Sequence, residues 1–99
     1  MEVEFENEDL VKLYQGNKLP KGYQPSIAKA FLKTIKILEA SKRIEDLYKI
    51  NSLNFEALKG KKKDFFSVRV NDQYRLEFKY RIEEPITIIS IYNLSNHYS

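Results

Sequence analysis

The second half of the chain contains side chains of the kinds that bind or process phosphate groups. They are Glu56, Lys59, Arg69, Arg75, His97 and Tyr98. Cleavage of RNA without a metal needs such a set, because a base must take the proton of the 2′-hydroxyl group, cations must stabilise the charged phosphorane, and an acid must protonate the departing 5′ oxygen. Arg75 suits the cationic role, since a guanidinium group can hold two phosphate oxygens and stays charged at every relevant pH.

The positive charges of the chain are concentrated around these residues. Residues 1–10 carry five acidic side chains and no basic one, whereas residues 59–81 carry eight basic and three acidic ones, a local net charge of +5. Such a segment is typical of a surface that binds a polyanion, although a solvated surface can have the same composition. The cations predicted to contact RNA phosphates are Lys61, Lys62, Lys63, Arg69 and Lys79.

The composition limits the classes of protein and site that the chain can form. Ninety-nine residues with 42% hydrophobic and 31% charged side chains fit one folded domain, predicted to span residues 1–99. A chain without cysteine and with one histidine argues against a disulfide framework and a metal site, and no cofactor motif is present. No apolar run is as long as a membrane span, and the acidic start is unlike a signal peptide, so a cytoplasmic protein is expected.

Apolar periodicity predicts one strand and two or three helices in the first half of the chain. The expected ranges are 1–6 for a half-buried strand, 7–15 and 26–40 for two helices, and 43–48 for a further helical turn. Asn7 is a good N-cap, Gly16 is a typical helix stop, and Pro25 suits the first position of the longer helix. The apolar stripe of that helix is predicted to pack in the core and consists of Ile27, Phe31, Ile35 and Leu38.

The alternation of apolar residues after position 65 predicts a hairpin whose register follows from its two faces. A three-residue loop pairs Val68 with Leu76 and keeps the apolar sets together, whereas a two-residue loop would mix core with solvent. The same register places Arg69 opposite Arg75 on the polar face. Facing cations destabilise a sheet, so either Glu77 or a bound phosphate is expected to compensate them.

The last apolar segment completes the predicted fold. Residues 86–92 are nearly continuously apolar and β-branched, which is typical of a central strand buried on both faces, and 93–99 are expected to form a polar tail. The predicted fold is a small α+β domain: an N-terminal strand, two to three helices, and then antiparallel strands that form one sheet with the helices packed on one face.

Several motifs together resemble the RelE/ParE superfamily of toxins, and most closely its HigB branch of plasmid-maintenance killer proteins. They are Leu58-Lys59-Gly60, the Ser-x-Arg-x-Asn-x-x-Tyr-Arg pattern over 67–75, and the closing Ser95-Asn96-His97-Tyr98. The resemblance implies a RelE-like fold and a ribosome-dependent mRNA endonuclease that is neutralised by a helix-turn-helix antitoxin of the HigA kind.

The resemblance also implies roles for individual residues. The family's cleavage residues map onto Lys59, Arg75 and His97. Where the family pattern can have a histidine, this chain has Glu56, and where a tyrosine can precede the terminal histidine, it has Asn96, with Tyr98 following. The identities of the general base and the general acid therefore stay open, with Glu56 a candidate base.

Two other functions stay open beside the nuclease. A non-enzymatic toxin of the ParE kind would inhibit DNA gyrase, and a binding module would hold RNA or an antitoxin without cutting. Lys59, Arg75 and His97 favour the nuclease, because gyrase inhibition requires no acid–base set.

Overall fold

A computed structural model describes residues 1–16, 19 and 21–96, and the elements of this part of the chain are as follows. The strands are β1 (Glu2–Phe5), β2 (Glu56–Ala57), β3 (Phe66–Arg69), β4 (Tyr74–Glu83) and β5 (Ile86–Asn96). The α-helices are α1 (Glu8–Tyr14) and α2 (Pro25–Ala40), and short 3-10 helices cover Ile44–Lys49, Asn51–Leu53 and Gly60–Lys62. The predicted α+β class is confirmed.

Both α-helices begin as their sequences predict. The side chain of Asn7 accepts a hydrogen bond of 3.0 Å from the backbone nitrogen of Asp9, which caps α1. Gly16 follows α1 with a φ of +75°, a value that glycine adopts without strain. Pro25 is the first residue of α2. The predicted apolar stripe of α2 is buried, and the predicted turn over 43–48 is the 3-10 helix Ile44–Lys49.

The five strands form one mixed sheet in the order β1-β5-β4-β3-β2. β1 runs parallel to β5, with Glu2 opposite Ile88, and the remaining neighbours are antiparallel. The two-residue strand β2 was not predicted, because two residues are too few to show a period. The sequence likewise left the partner of the acidic first strand open, and the structure places β1 at the edge of the sheet.

The last strand corrects the prediction at both ends. Residues 93–96 were expected in a polar tail, yet they continue β5, because Leu94 lies opposite Leu76 and enters the core. Burial on both faces holds for Ile88–Ile91 only. Ile86 is 42% exposed, since it pairs with Glu83 at the exposed end of the β4–β5 hairpin.

The β3–β4 hairpin has the predicted register. Val68 lies opposite Leu76 and Arg69 opposite Arg75, and the backbone nitrogen of Val70 bonds to the carbonyl oxygen of Tyr74 at 2.9 Å. The side-chain oxygen of Asn71 accepts from the backbone nitrogens of the two residues that lead into β4, which fixes the three-residue loop.

The two faces of the sheet have different environments. The helices cover one face, and the core there combines residues of α1 and α2 with Val68, Leu76, Phe78, Ile89 and Ile91. The opposite face, here called the outer face, carries the alternate side chains of β3 and β4. They are Ser67, Arg69, Arg75, Glu77, Lys79 and Arg81. None of the helices that the structure describes could span a membrane.

Candidate phosphate-binding site

Arg75 is held inside the outer face by neighbours from two strands and a turn. Its Nε and Nη2 atoms donate to Ser67 Oγ at 3.0 and 2.8 Å, and Nη2 also donates to the carbonyl oxygen of Asn54 at 2.8 Å. The Oε1 atom of Glu56 lies 3.3 Å from Nη2. Arg75 therefore lies on the predicted polar face opposite Arg69, but it is only 8% exposed, because Asn54 and Glu56 cover it.

One nitrogen of this guanidinium group remains for a ligand. Within the described residues Nη1 of Arg75 has no hydrogen-bond partner, while Nε and Nη2 are both engaged. Arg75 is thus a fixed cation whose Nη1 atom makes no hydrogen bond within the described residues.

Local backbone geometry brings Glu56 to this position. Asn54 ends the 3-10 helix Asn51–Leu53 in a left-handed conformation, with a φ of +43°, which asparagine tolerates better than most residues. The chain then enters β2, where Glu56 lies opposite Ser67. The Glu56 side chain is 50% exposed, so its carboxylate can contact both Arg75 and a ligand from solvent.

The two facing arginines are compensated by acids that the sequence analysis did not choose. Arg69 pairs with Asp72 and donates to the carbonyl oxygen of Asn71 at 3.2 Å, and Arg75 pairs with Glu56. Glu77 was the expected local partner, but it is held elsewhere. Arg69 and Arg75 therefore need no bound anion to coexist in the sheet.

Glu77 instead anchors the lysine-rich turn to the sheet. Its two carboxylate oxygens accept from Lys62 Nζ at 3.0 and 2.9 Å, and Oε1 also accepts from Asn93 Nδ2 at 3.1 Å. Glu77 is 7% exposed, whereas the Lys62 side chain is 50% exposed. The 3-10 helix Gly60–Lys62 is thereby tied to β4 and β5.

The four lysines of this turn have different environments. Lys59 precedes Gly60, whose φ of +68° turns the chain. Lys59, Lys61 and Lys63 are exposed, and none forms an ion pair with the described residues, whereas Lys62 pairs with Glu77. Three of the four lysines are therefore available to phosphates without breaking an ion pair.

The remaining predicted residues lie farther along the outer face or outside the described part. The ammonium group of Lys79 lies over the rings of Phe65 and Tyr92. His97 and Tyr98 are outside the described residues. Near the end of the described chain, Ser95 of β5 lies opposite Arg75.

Sequence reasoning missed part of this site. Ser67 was not among the predicted site residues, whereas it is 1% exposed and accepts two hydrogen bonds from Arg75. The signal available was its position on the same strand face as Arg69. Asn54 gave no signal, because its contact with Arg75 is made by a backbone oxygen across 21 positions of sequence.

Two pKa shifts occur among the described residues. Hydrogen bonds to Glu83 and Glu4 raise the pKa of Arg81, so this cation is committed to two acids. Burial, with smaller contributions from Tyr74 and Asp9, raises the pKa of Tyr23 above its ordinary value of 10.0. No group of three histidine, cysteine or acidic side chains in the described ranges is arranged to hold a metal ion.

Comparison with solved structures identifies the fold. A YoeB/ParE toxin from Agrobacterium tumefaciens aligns with a TM-score of 0.57 and 14% identity, over 99% of this chain and all of that one. A conserved hypothetical protein from Helicobacter pylori aligns with a TM-score of 0.56 and 18% identity, over the whole of this chain and 97% of that one. The fold is thus the one that the resemblance implied.

Comparison of sequences identifies the family. Toxin HigB-1 of Vibrio cholerae is 35% identical over 80 residues, which cover 81% of this chain and 84% of that protein. An uncharacterized protein of Haemophilus influenzae is 30% identical over 80 residues, covering 81% of this chain and 79% of the relative. Residues 3–97 match the family of RelE-like toxins of the type II toxin-antitoxin system HigB, and the chain belongs to this HigB-like toxin family.

Proposed function

We propose that this toxin is an endoribonuclease that cuts mRNA on the ribosome without a metal ion and so inhibits translation. The observation that carries the proposal is the contact between Glu56 and Arg75, a half-exposed carboxylate 3.3 Å from a guanidinium group that is otherwise fixed by the fold. Attack by a 2′-hydroxyl group on its own phosphate needs a base for the hydroxyl proton and a cation for the charged phosphorane, and this pair holds both in one site.

Each group then has a distinct part in the reaction. Nη1 of Arg75 binds a non-bridging phosphate oxygen, and a fixed donor of this kind is worth about 2.7–4 kcal/mol in comparable catalytic sites. Glu56 takes the proton of the 2′-hydroxyl group. Lys59 adds positive charge beside the phosphate. His97 or Tyr98 supplies the proton for the leaving 5′ oxygen; the resemblance to the family implies that His97 contributes to cleavage.

The partners and location follow from the same proposal. The toxin-antitoxin family implies an antitoxin, and we propose that it carries a helix-turn-helix of the HigA kind. The second partner is mRNA in the ribosome, which places the reaction in the cytoplasm. Arg69, Lys61, Lys62, Lys63 and Lys79 are proposed to hold the RNA backbone, with Lys62 acting only after it leaves Glu77.

Purified ribosomes that carry a defined message provide the test. Primer extension is expected to show cuts within the translated codons when the toxin is added, and none when the ribosomes are omitted. His97→Gln is the matched variant, and it is expected to bind these ribosomes and lose the cuts.

The two alternative functions give different results in the same preparation. A toxin of the ParE kind would leave the message intact and inhibit DNA supercoiling by gyrase. A binding module would associate with ribosomes and change neither the message nor supercoiling. Either outcome would refute the nuclease.

A further inference from the structure

Two aromatic rings and an ammonium group form a cluster on the outer face, away from the helices. The ring centroids of Phe65 and Tyr92 lie 5.1 Å apart, with the rings nearly perpendicular at 86°. Lys79 Nζ lies 4.8 Å from the Phe65 centroid and 5.5 Å from that of Tyr92. All three side chains are half-buried, so each keeps some surface in contact with solvent.

Local backbone features turn both rings out of the core. The register between β4 and β5 shifts after Glu77, which lies opposite Asn93, while Phe78 lies opposite Ile91. Tyr92 is thus the extra residue of a β-bulge, a feature that commonly redirects a side chain. Phe65 directly precedes Phe66, which stacks with Phe78 in the core, and the alternation of a strand sends Phe65 to the opposite face.

Lys79 differs from the other cations of the outer face in its partner. The ion pairs there join Lys62 to Glu77, Arg69 to Asp72, Arg75 to Glu56, and Arg81 to Glu4 and Glu83. Within the described residues Lys79 forms no ion pair, and its ammonium group lies over the two rings. It can bind an anion without losing an ion pair.

We propose that Phe65, Tyr92 and Lys79 form a site for one unpaired base of an RNA strand and its adjoining phosphate. The base stacks on an aromatic ring, and the Lys79 ammonium group moves from the ring face to the phosphate. The inference rests on the proposed function, since it requires an RNA substrate. It adds a stacking site that the phosphate-binding residues do not supply.

The position of the cluster fits a strand that also reaches Arg75. Lys79 follows Arg75 by four residues on the same face of β4, about 13 Å along the strand. A short run of nucleotides spans this distance, so one RNA strand can occupy both sites. Stacking on aromatic rings accepts every base, so the cluster adds affinity and positioning rather than sequence choice.

The chemistry of the cluster favours RNA over a protein segment. A peptide side chain would need apolar area, but here a cation that has no acidic partner within the described residues covers the ring faces. A base and its phosphate use the rings and the ammonium group together.

Fluorescence of 2-aminopurine tests the stacking, because stacking quenches this base. The probe is a short message with 2-aminopurine at single positions, used free and bound in ribosomes. We expect quenching with the parent protein. We expect binding about 5- to 140-fold weaker, with less quenching, for Tyr92→Leu, which keeps apolar bulk but cannot stack.

Two further variants separate stacking from folding. Tyr92→Phe retains the ring and is expected to bind and quench as the parent does. Tyr14→Ala is the matched control, since Tyr14 is 40% exposed but packs on Phe5 on the helix side of the sheet, and it is expected to leave both readouts unchanged.

The possible results distinguish this inference from the nuclease itself. Parental binding and quenching by Tyr92→Leu, or no quenching by the parent with either form of the probe, would overturn the stacking site. The stacking site would also be overturned if Tyr92→Leu bound RNA as the parent does but was neutralised less well by the co-expressed antitoxin. That result would make the cluster a protein interface. A parent that quenches the probe without cutting the message would keep the stacking site and refute the nuclease.

Discussion

At the scale of single residues, the distinctive feature is how completely the fold fixes Arg75. Two of its nitrogens are bound to Ser67 and Asn54, and the third is left for a ligand. Such an arrangement costs little reorganisation when charge develops on a phosphate, which is the condition for strong electrostatic stabilisation. The same contacts also contribute to stability, so Arg75 has a structural and a chemical role.

Arg75→Lys separates these two roles. Lysine keeps the charge, but its ammonium group is one compact centre. It cannot bond to Ser67 and Asn54 and also reach a phosphate at the position that Nη1 of Arg75 occupies. We expect the single-turnover rate of message cleavage on ribosomes to fall by ~100-fold or more. Ser67→Ala is the control, because it leaves two buried donors without their acceptor and costs about 1–3 kcal/mol without removing the cation. Equal rate losses in the two variants at saturating substrate would show that Arg75 acts only through packing.

At the scale of the elements, the Lys62–Glu77 pair joins the turn that carries Lys59 to the middle of the sheet. Glu77 lies on β4, its third contact Asn93 lies on β5, and Lys62 reaches both from the 3-10 helix. A nearly buried carboxylate that loses its cation pays for its desolvation without compensation. The pair is therefore expected to determine the position of the turn.

Lys62→Gln tests the joint between turn and sheet. We expect a loss of about 1–3 kcal/mol in the free energy of unfolding, measured in urea, because Glu77 keeps only its bond to Asn93. Lys63→Gln removes an exposed charge from the next position, and we expect a change within ~0.5 kcal/mol. If Lys62→Gln and Lys63→Gln unfold at the same urea concentration, the pair does not hold the turn.

A second joint connects the segment before α2 to the end of β5. The hydroxyl of Tyr23 donates to the carbonyl oxygen of Leu94 at 2.8 Å, and burial raises the pKa of this hydroxyl above 10.0. The folded state therefore favours the protonated form. Its contribution to stability is complete below pH 10 and is lost as the pH rises through the raised pKa.

Tyr23→Phe is expected to be less stable than the parent by about 1 kcal/mol at pH 7, since it lacks the hydrogen bond. The difference should shrink above pH 10, because only the parent loses the bond by ionisation. Urea unfolding of both proteins between pH 7 and pH 11 measures it. A difference that stays constant across this range would contradict the assignment.

The elements also show what a sequence can predict. The hairpin register followed from period-two alternation, because only one loop length keeps Val68 and Leu76 on one face. The strand that pairs with β1 could not be predicted in this way. Alternation shows which face of a strand is buried but not which strand lies beside it. The burial of Arg75 could not be predicted from the sequence, because Asn54, which covers it, lies 21 positions away. The roles of His97 and Tyr98 remain predictions.

At the scale of the whole molecule, the strand order keeps the acidic N-terminal segment apart from the basic segment of the second half. β1, with its glutamates, lies at one edge of the sheet, and β2, which leads into the lysine turn, lies at the other. The net charge of +3 therefore hides an acidic strand and a lysine-rich turn that lie at opposite edges of the sheet. A polyanion is expected to approach from the side of the turn.

The salt dependence of RNA binding tests this polarity. Each phosphate neutralised by a cation releases counterions, which gives a slope of about −0.7 in log affinity against log salt for single strands. Changing Lys61 and Lys63 together to Gln is expected to flatten the slope by up to about 1.4, since both are exposed and free of ion pairs within the described residues. Message cleavage at saturating substrate should be largely retained, because the chemistry is assigned to other residues.

The matched control changes Lys33 and Lys36 to Gln on the exposed side of α2, which removes the same net charge from the helix side of the molecule. If the slope reports direct contacts, this variant keeps the parental value. If it reports net charge alone, the two double variants shift equally. Lys59→Gln should do the opposite of the turn variant, lowering the saturated cleavage rate with little change in slope, because its charge is assigned to the reacting phosphate. A parental slope for the Lys61 and Lys63 double variant would make the turn a solvated surface and remove the electrostatic part of the proposed RNA contact.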